Sequence, residues 1–435
     1  MYLCQRYISI TLHTMNFEHY HAAVRYLEGL SNLASPDDYT KDRKDPARYI
    51  ARMKFFLKLL GNPEKGFKYV HVTGTSGKGT VSTMIHNAFV ASGKRVALYT
   101  SPFVTTTIEK IKFGSEYISP GEFAEIVDEL KPFIDRAHVE SPLGRPSYFE
   151  IIFAIVLLYA KRKKSEWVVL EVGCGGRYDA TNVIPCPEAA VITNVDLDHI
   201  EILGDTVEKI AYEKAGIIKK GSVVFTTELK PLVRQILRAE ARKVGASYNE
   251  IEDGATYEQK NKLLAVSVCR TLGLPQREAM VAIQKTRLPA RFEIMQKQPL
   301  VIIDGAHNSA KIKTTVENLK KLKYKKLYAI VGCAGNKSHR EILKHIVGVS
   351  DEIYFTKYTM KERRAADPEL LAKDAKEIKP TISSSVFLDP GRALRLALLK
   401  ARKQDVILVV GSFFLAGDLR RWWVPEFSIL KKRMS

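Results

Sequence analysis

The stretch HVTGTSGKGT, His71 to Thr80, sets three glycines, a lysine and four hydroxyls within ten residues. Glycine lets the backbone approach an anion closely and lysine supplies charge, so Gly74, Thr75, Ser76, Gly77, Lys78, Gly79 and Thr80 read as a phosphate-binding loop. Two positions depart from the common pattern. Val72 stands where the first glycine is usual, and Gly79 stands where a Ser or Thr hydroxyl normally holds Mg²⁺. If the loop holds ATP, the metal must find its oxygen ligands elsewhere.

Three further stretches offer them. Ser101 in LYTSPF and Glu171 in VVLEVGCGG each follow an apolar run that reads as a strand. Ser101 alone would pass for a routine turn residue, whereas a carboxylate after four apolar residues and before a glycine turn has no obvious packing reason. His199, after Asp196 and Asp198, could ligate a metal through a ring nitrogen. Lys214 lies between Glu213 and AGII in a helix-like stretch, where desolvation would lower its pKa and make the amine nucleophilic. Such an amine can add CO₂ and become an anionic carbamate ligand.

These residues need a scaffold that brings strand ends together. From about residue 66, short β-branched runs (KYVHVT, RVALYT, WVVLEV, AAVITNV) alternate with helical-period stretches, the pattern of parallel strands and crossover helices. Strand C-terminal ends converge on the ligand side of such a sheet. Residues from Asn249 to about Lys285 are helical in pattern, and the alternation restarts after RLPARFE with LVIID, LYAIVG, EIYFT and VILVVG. The expected architecture is α/β: a doubly wound, P-loop-type ATPase domain over residues 1–293, then a smaller Rossmann-like α/β domain over 294–435.

A chain of 435 residues, 46% hydrophobic and 27% charged, is ordinary for a soluble protein of two domains. Its five cysteines are scattered and odd in number, which argues against a disulfide framework or a zinc site and fits a cytoplasmic location. The longest apolar run, Phe153 to Ala160, is too short to span a membrane, the N-terminus lacks a signal pattern, and Met15 is an alternative start. The net charge of +20 allows a nucleic-acid partner, but the basic runs lack interleaved aromatics and read more simply as solvated surface.

Taken together, HVTGTSGKGT, LYTSPF, EVGCGGRYDATNV, DLDHIEILGDTVEKIAYEKAGIIKKG, LPARFE, IDGAHN and VVGSFFLAGDLR resemble, in the same order, the motifs of folylpolyglutamate and dihydrofolate synthases, a branch of the Mur ligase superfamily. The resemblance implies that glycine after the P-loop lysine is normal, and that Ser101, Glu171 and His199 hold metal. It further implies that Lys214 is carbamylated and helps hold a second Mg²⁺. Asn261 would contact adenine, Arg291 the phosphates and Asp304 the ribose, with His307 near the nucleotide and the incoming amino acid. ATP with two Mg²⁺ ions would phosphorylate a carboxylate, and an amino acid would attack the acyl phosphate, with Lys78, Arg291, His199 and Lys214 serving the reaction. The implied partners are L-glutamate and a reduced folate or dihydropteroate, and the expected state is a monomer.

Three stretches depart from the family pattern. Thr107, Ile108, Glu109 and Lys110 replace a segment that usually ends in Glu-Arg, beside the acceptor pocket. The region from Thr227 to Tyr257 is short, and GCAGNKSHREIL keeps Lys337 but not the usual Asp-Lys-Asp. A different carboxylate acceptor therefore stays open as an alternative, and an ATP-binding module with a nucleic-acid partner as a remote one. Glu150, in an apolar helical stretch, is either a site residue or part of the packing.

Overall fold

The computed structural model describes residues 17–32, 45–252, 254, 256–335, 339–360 and 364–434. Met15, Cys4 and Lys337 lie outside them. The described chain forms two compact units: one takes residues up to Phe103, Thr107–Thr286 and Leu430–Ser435, the other Val104–Thr106 and Arg287–Ile429.

The first unit is built on an eight-stranded sheet. Its strands are β1 (Lys68–Thr73), β2 (Val96–Tyr99), β3 (Ile111–Phe113), β4 (Glu116–Tyr117), β5 (Trp167–Glu171), β6 (Ala189–Ile192), β7 (Val223–Thr226) and β8 (Ser247–Glu250). They lie in the order β4-β3-β2-β5-β1-β6-β7-β8. The β2–β3 and β3–β4 pairings are antiparallel and all others parallel, so β3 alone runs against the rest. Central parallel strands are covered on both faces and so read as continuous apolar runs. On β6, Ala189 and Val191 enter one core cluster while Ala190 and Ile192 enter another.

The second unit has six strands: β9 (Glu293–Lys297), β10 (Leu300–Ile303), β11 (Leu327–Val331), β12 (Glu352–Phe355), β13 (Ser383–Val386) and β14 (Val406–Val410). Their order is β13-β12-β11-β14-β10-β9, with only β9 antiparallel. Strand β14 again splits its side chains, Val406, Leu408 and Val410 to one core and Ile407 and Val409 to the other. Both units are thus α/β, as expected. The helical expectation from Asn249 to Lys285 needs correcting: the edge strand β8 extends to Glu250, and two helices follow, Tyr257–Thr271 and Gln276–Lys285.

Candidate functional site

Strand order puts the C-terminal ends of β2, β5, β1 and β6 side by side, which brings Ser101, Glu171, the glycine loop and Thr193 to one edge of the sheet. The loop leaves β1 at Thr73 and ends at Gly77, the N-cap of the helix Lys78–Ala91. Gly74 has φ 151°, and a β-carbon there would meet Thr193 Oγ1 at 1.8 Å; Gly77 has φ 82°, and a β-carbon there would meet Asn261 Oδ1 at 2.7 Å. Gly74 has no room for a side chain, and at Gly77 the left-handed backbone strains any other residue while Asn261 would have to move. Gly77 also brings no capping side chain, so the first-turn N–H groups of a 14-residue helix face the loop, a ready anion site.

Residues after β6 tie the loop down. The Thr75 N–H donates to the Asn194 carbonyl (2.9 Å), the Ser76 N–H to Asn194 Oδ1 (2.9 Å), and Thr193 Oγ1 to the Ser76 carbonyl (2.6 Å). The Thr75 hydroxyl donates to the Asp196 carbonyl (3.1 Å) and accepts from the Asp196 N–H (2.9 Å). Lys78 folds back, its ammonium 3.0 Å from the Gly74 carbonyl.

Glu171 ends β5 and is buried, and its Oε2 accepts the Ser101 N–H at 2.9 Å. A β-carbon on Gly79 would lie 3.0 Å from that same oxygen and 3.3 Å from Oε1. The carboxylate therefore occupies the space in which a P-loop hydroxyl would stand, an arrangement that fits a hard cation held from β5. Among the described residues no group of three or more His, Cys, Asp or Glu side chains is gathered for a metal. The expected set contains two such residues, Glu171 and His199, and gains a further anionic oxygen only if Lys214 carries a carbamate.

Lys214 meets the conditions for that. It is buried near the end of the helix Val207–Ala215, and burial, aided by the nearby Lys78 charge, pulls its pKa down to about 7 against the opposing pull of Cys174, Asp198 and Glu213. The glycine turn after β5 grips this helix end: the Arg177 N–H donates to the Glu213 carbonyl at 2.7 Å, and a β-carbon on Gly176 would lie 2.9 Å from the same oxygen. His199 sits in the left-handed region, φ 51°, with its N–H 3.1 Å from Asp198 Oδ1. Left-handed backbone in a non-glycine residue is uncommon and concentrates at functional positions.

A buried polar chain supports the glycine turn. Asp179 Oδ2 accepts the Cys174 N–H (3.0 Å), Asp179 Oδ1 accepts the Thr181 hydroxyl (2.5 Å), and His71 Nε2 lies 2.8 Å from that hydroxyl. Sequence reasoning passed over Thr193, Asn194, Asp179, Thr181 and His71, although all five stand inside or beside quoted motifs.

Arg291, Asp304 and His307 belong to the second unit. Arg291 sits between two left-handed residues, Ala290 (φ 51°) and Phe292 (φ 47°), at a cost of about 1–3 kcal/mol each. The turn is pinned by the Phe292 N–H donating to Asp304 Oδ2 (3.1 Å), the Ala290 N–H to Glu293 Oε2 (2.8 Å) and the Gly305 N–H to the Ala290 carbonyl (2.8 Å). Its guanidinium lies over the Phe413 ring, 4.1 Å from the centroid. Asp304 also accepts the Ala306 N–H at 2.8 Å; burial raises its pKa against the opposing Arg291 charge. His307 Nδ1 is 2.9 Å from the Gly305 carbonyl and Nε2 3.1 Å from the Lys311 ammonium.

Glu150 resolves as packing. Arg52 Nε reaches its two oxygens at 3.2 and 2.9 Å, both side chains are buried, and Glu150 completes a capping box with Ser147. Thr107–Lys110 forms a buried 3₁₀ turn, in which the Lys110 ammonium lies 3.0 Å from the Tyr148 hydroxyl and over the Phe103 and Tyr148 rings.

Comparison with known proteins agrees with this layout. Residues 72–295 match the family "Mur ligase middle domain" and residues 290–413 "Mur ligase, glutamate ligase domain". The chain is 28% identical over 412 residues to the dihydrofolate synthase/folylpolyglutamate synthase of Bacillus subtilis, covering 86% of this chain and 94% of that one. It superposes on the Mycobacterium tuberculosis folylpolyglutamate synthase complexed with ADP with a TM-score of 0.84 at 25% identity, covering 93% and 99%. A TM-score of 0.77 at 27% identity, covering 93% and 97%, relates it to the bifunctional folylpolyglutamate synthase/dihydrofolate synthase of Yersinia pestis complexed with AMPPNP and Mn ion. The chain belongs to the Mur ligases, in their folylpolyglutamate and dihydrofolate synthase branch, and is a ligase that forms carbon–nitrogen bonds.

Proposed function

We propose that this ligase uses ATP to join L-glutamate to a reduced folate, to dihydropteroate, or to both. The observation that carries the reading is the Glu171 carboxylate seated beside Gly79, 3.0 Å from a β-carbon built there, with Lys214 buried and its pKa near 7. A simple nucleotide-binding module needs neither. The relatives described with ADP and with AMPPNP and Mn support the choice of nucleotide and of a divalent ion.

The acceptor carboxylate attacks the γ-phosphorus, ADP leaves, and an acyl phosphate forms. The glutamate amine then attacks the acyl carbon, phosphate leaves, and the amine gives up its proton. Transfer between anions calls for positioning and charge neutralisation more than covalent help. Loop N–H groups from Gly74 to Thr80 cradle the phosphates, and Lys78 and Arg291 offset their charge. Ser101, Glu171 and His199 would hold one Mg²⁺, and Lys214, as its carbamate, would help hold a second; these ions supply charge neutralisation at the phosphates. Asn261 would take the adenine, Asp304 the ribose hydroxyls, and His307 would lie near the incoming amino acid.

In this reading the unit whose main segment ends at Thr286 is the nucleotide-binding domain and the unit whose main segment starts at Arg287 the glutamate-ligase domain, a boundary slightly before the expected 293/294 that puts Arg291 in the second. The protein acts as a monomer in the cytoplasm. No helix among the described residues is long and apolar enough to cross a membrane, and Cys174, Cys186, Cys269 and Cys333 are free. The Lys110 arrangement favours a second reading, a different carboxylate acceptor, because a lysine here replaces the family's arginine. Mass analysis of the product separates the two. Dihydropteroate or tetrahydrofolate should gain one glutamyl residue, whereas recovery of both unchanged would shift the assignment to another acceptor.

A further inference from the structure

The motif VVGSFFLAGDLR contains a helix, Phe413–Arg420, to which the reaction scheme gives no task. Phe413, Gly417 and Arg420 are spaced i, i+4, i+7 and share one helical face. Phe413 lies under the Arg291 guanidinium. Gly417 packs so closely on the segment Val104–Thr106 that a β-carbon there would sit 2.1 Å from the Val104 carbonyl oxygen.

Arg420 joins the two. Its Nε lies 3.1 and 2.9 Å from Glu293 Oε1 and Oε2, its Nη2 3.1 Å from Oε1, and its Nη1 donates to Thr105 Oγ1 at 2.8 Å. Glu293 in turn accepts the Ala290 N–H and so fixes the left-handed turn that presents Arg291. Thr105 stands four residues after Ser101 and two before the buried 3₁₀ turn Thr107–Lys110, the stretch that the family resemblance sets beside the acceptor. Arg421 reinforces the hold, its Nη2 3.1 Å from the Thr105 carbonyl. A planar guanidinium can bridge a carboxylate and a hydroxyl at fixed angles, which a lysine ammonium cannot do.

We infer that Arg420 is a positioning residue that sets the Arg291 turn and the Val104–Thr106 segment together, so that nucleotide and acceptor are placed by one group. This rests on the ligase reading above. Three variants test it: Arg420→Lys, which keeps the charge but not the fork, Thr105→Val, which removes only the hydroxyl, and Glu293→Gln. Nucleotide affinity is read by calorimetry with Mg·AMPPNP, and acceptor KM by ADP release. Arg420→Lys should raise the nucleotide Kd and the acceptor KM each at least fivefold, Thr105→Val the acceptor KM alone, and Glu293→Gln chiefly the nucleotide Kd. A merely structural arginine would lower the melting temperature and kcat while leaving both constants within twofold, and that outcome overturns the inference. Should Arg420→Lys fail to fold, the opposite selectivities of Thr105→Val and Glu293→Gln decide: equal effects on both constants contradict it. If the wild-type protein turns over no pterin acceptor, the ligase reading has failed on its substrate, and an unchanged Mg·AMPPNP Kd in Arg420→Lys still overturns the positioning role.

Discussion

The Glu171 carboxylate lies against Gly79, so close that a β-carbon at residue 79 would stand 3.0 Å from Oε2. The missing P-loop hydroxyl and the unexplained strand-end carboxylate are therefore one feature. Gly79→Ser, which restores the common P-loop pattern, should displace Glu171 and lower kcat/KM at least tenfold. Glu171→Gln should raise the Mg²⁺ concentration needed for half-maximal rate severalfold. Metal titrations of both variants check this; an unchanged titration in Glu171→Gln would remove it from the metal's ligands.

Lys214, with a pKa near 7, is largely neutral above that pH, whereas an ordinary lysine at 10.4 would be neutral in only roughly one molecule in a few thousand. Addition of CO₂ needs the neutral amine, so activity in CO₂-depleted buffer should recover on adding bicarbonate, and the bicarbonate needed should rise as pH falls below 7. Lys214→Ala should abolish turnover, with short carboxylic acids restoring part of it. Full activity in the variant would contradict the carbamate.

His71 and His86 are buried, and burial, with the Lys219 and Lys112 charges respectively, lowers each pKa to about 3. Between about pH 6.5 and 3 the unfolded chain binds more protons than the folded one, so stability falls as pH falls, at about 1.4 kcal/mol per pH unit for each histidine at full slope. Urea midpoints at pH 7 and 5 should show the loss, and His86→Gln should flatten it.

Glu150 and Arg52 form a buried pair. Truncating one partner strands the other, so Glu150→Ala should cost about 3–5 kcal/mol of stability. Acceptor KM in the folded fraction should stay within twofold; a selective rise in that KM would return Glu150 to the site.

What could be read directly from the chain followed burial. Strands β1, β5, β6 and β14 are fully enclosed apart from Lys68, so their apolar runs announced them. Strands β8 (SYNE), β9 (EIMQK) and β13 (SSSV) are polar and partly exposed edges, held by register rather than by composition, and hydrophobic pattern does not reveal them. Among site residues, Glu171 was legible because a carboxylate in an apolar run demands a reason. Thr193, Asn194 and Arg420 are ordinary polar residues whose roles arise only when strand order sets them against the loop or the Arg291 turn. Glu150 shows the converse: a carboxylate in an apolar helix whose reason was a cap and an arginine 98 residues away.

The central claim, an ATP-dependent glutamate ligase acting on a pterin carboxylate, is tested most directly by ADP release from the purified protein with Mg·ATP and L-glutamate. Reactions containing dihydropteroate, tetrahydrofolate or no acceptor are compared. The account predicts ADP formation that depends on a pterin acceptor and on glutamate. ADP release that is indifferent to both, or nucleotide binding with no stimulation by either acceptor, would contradict it.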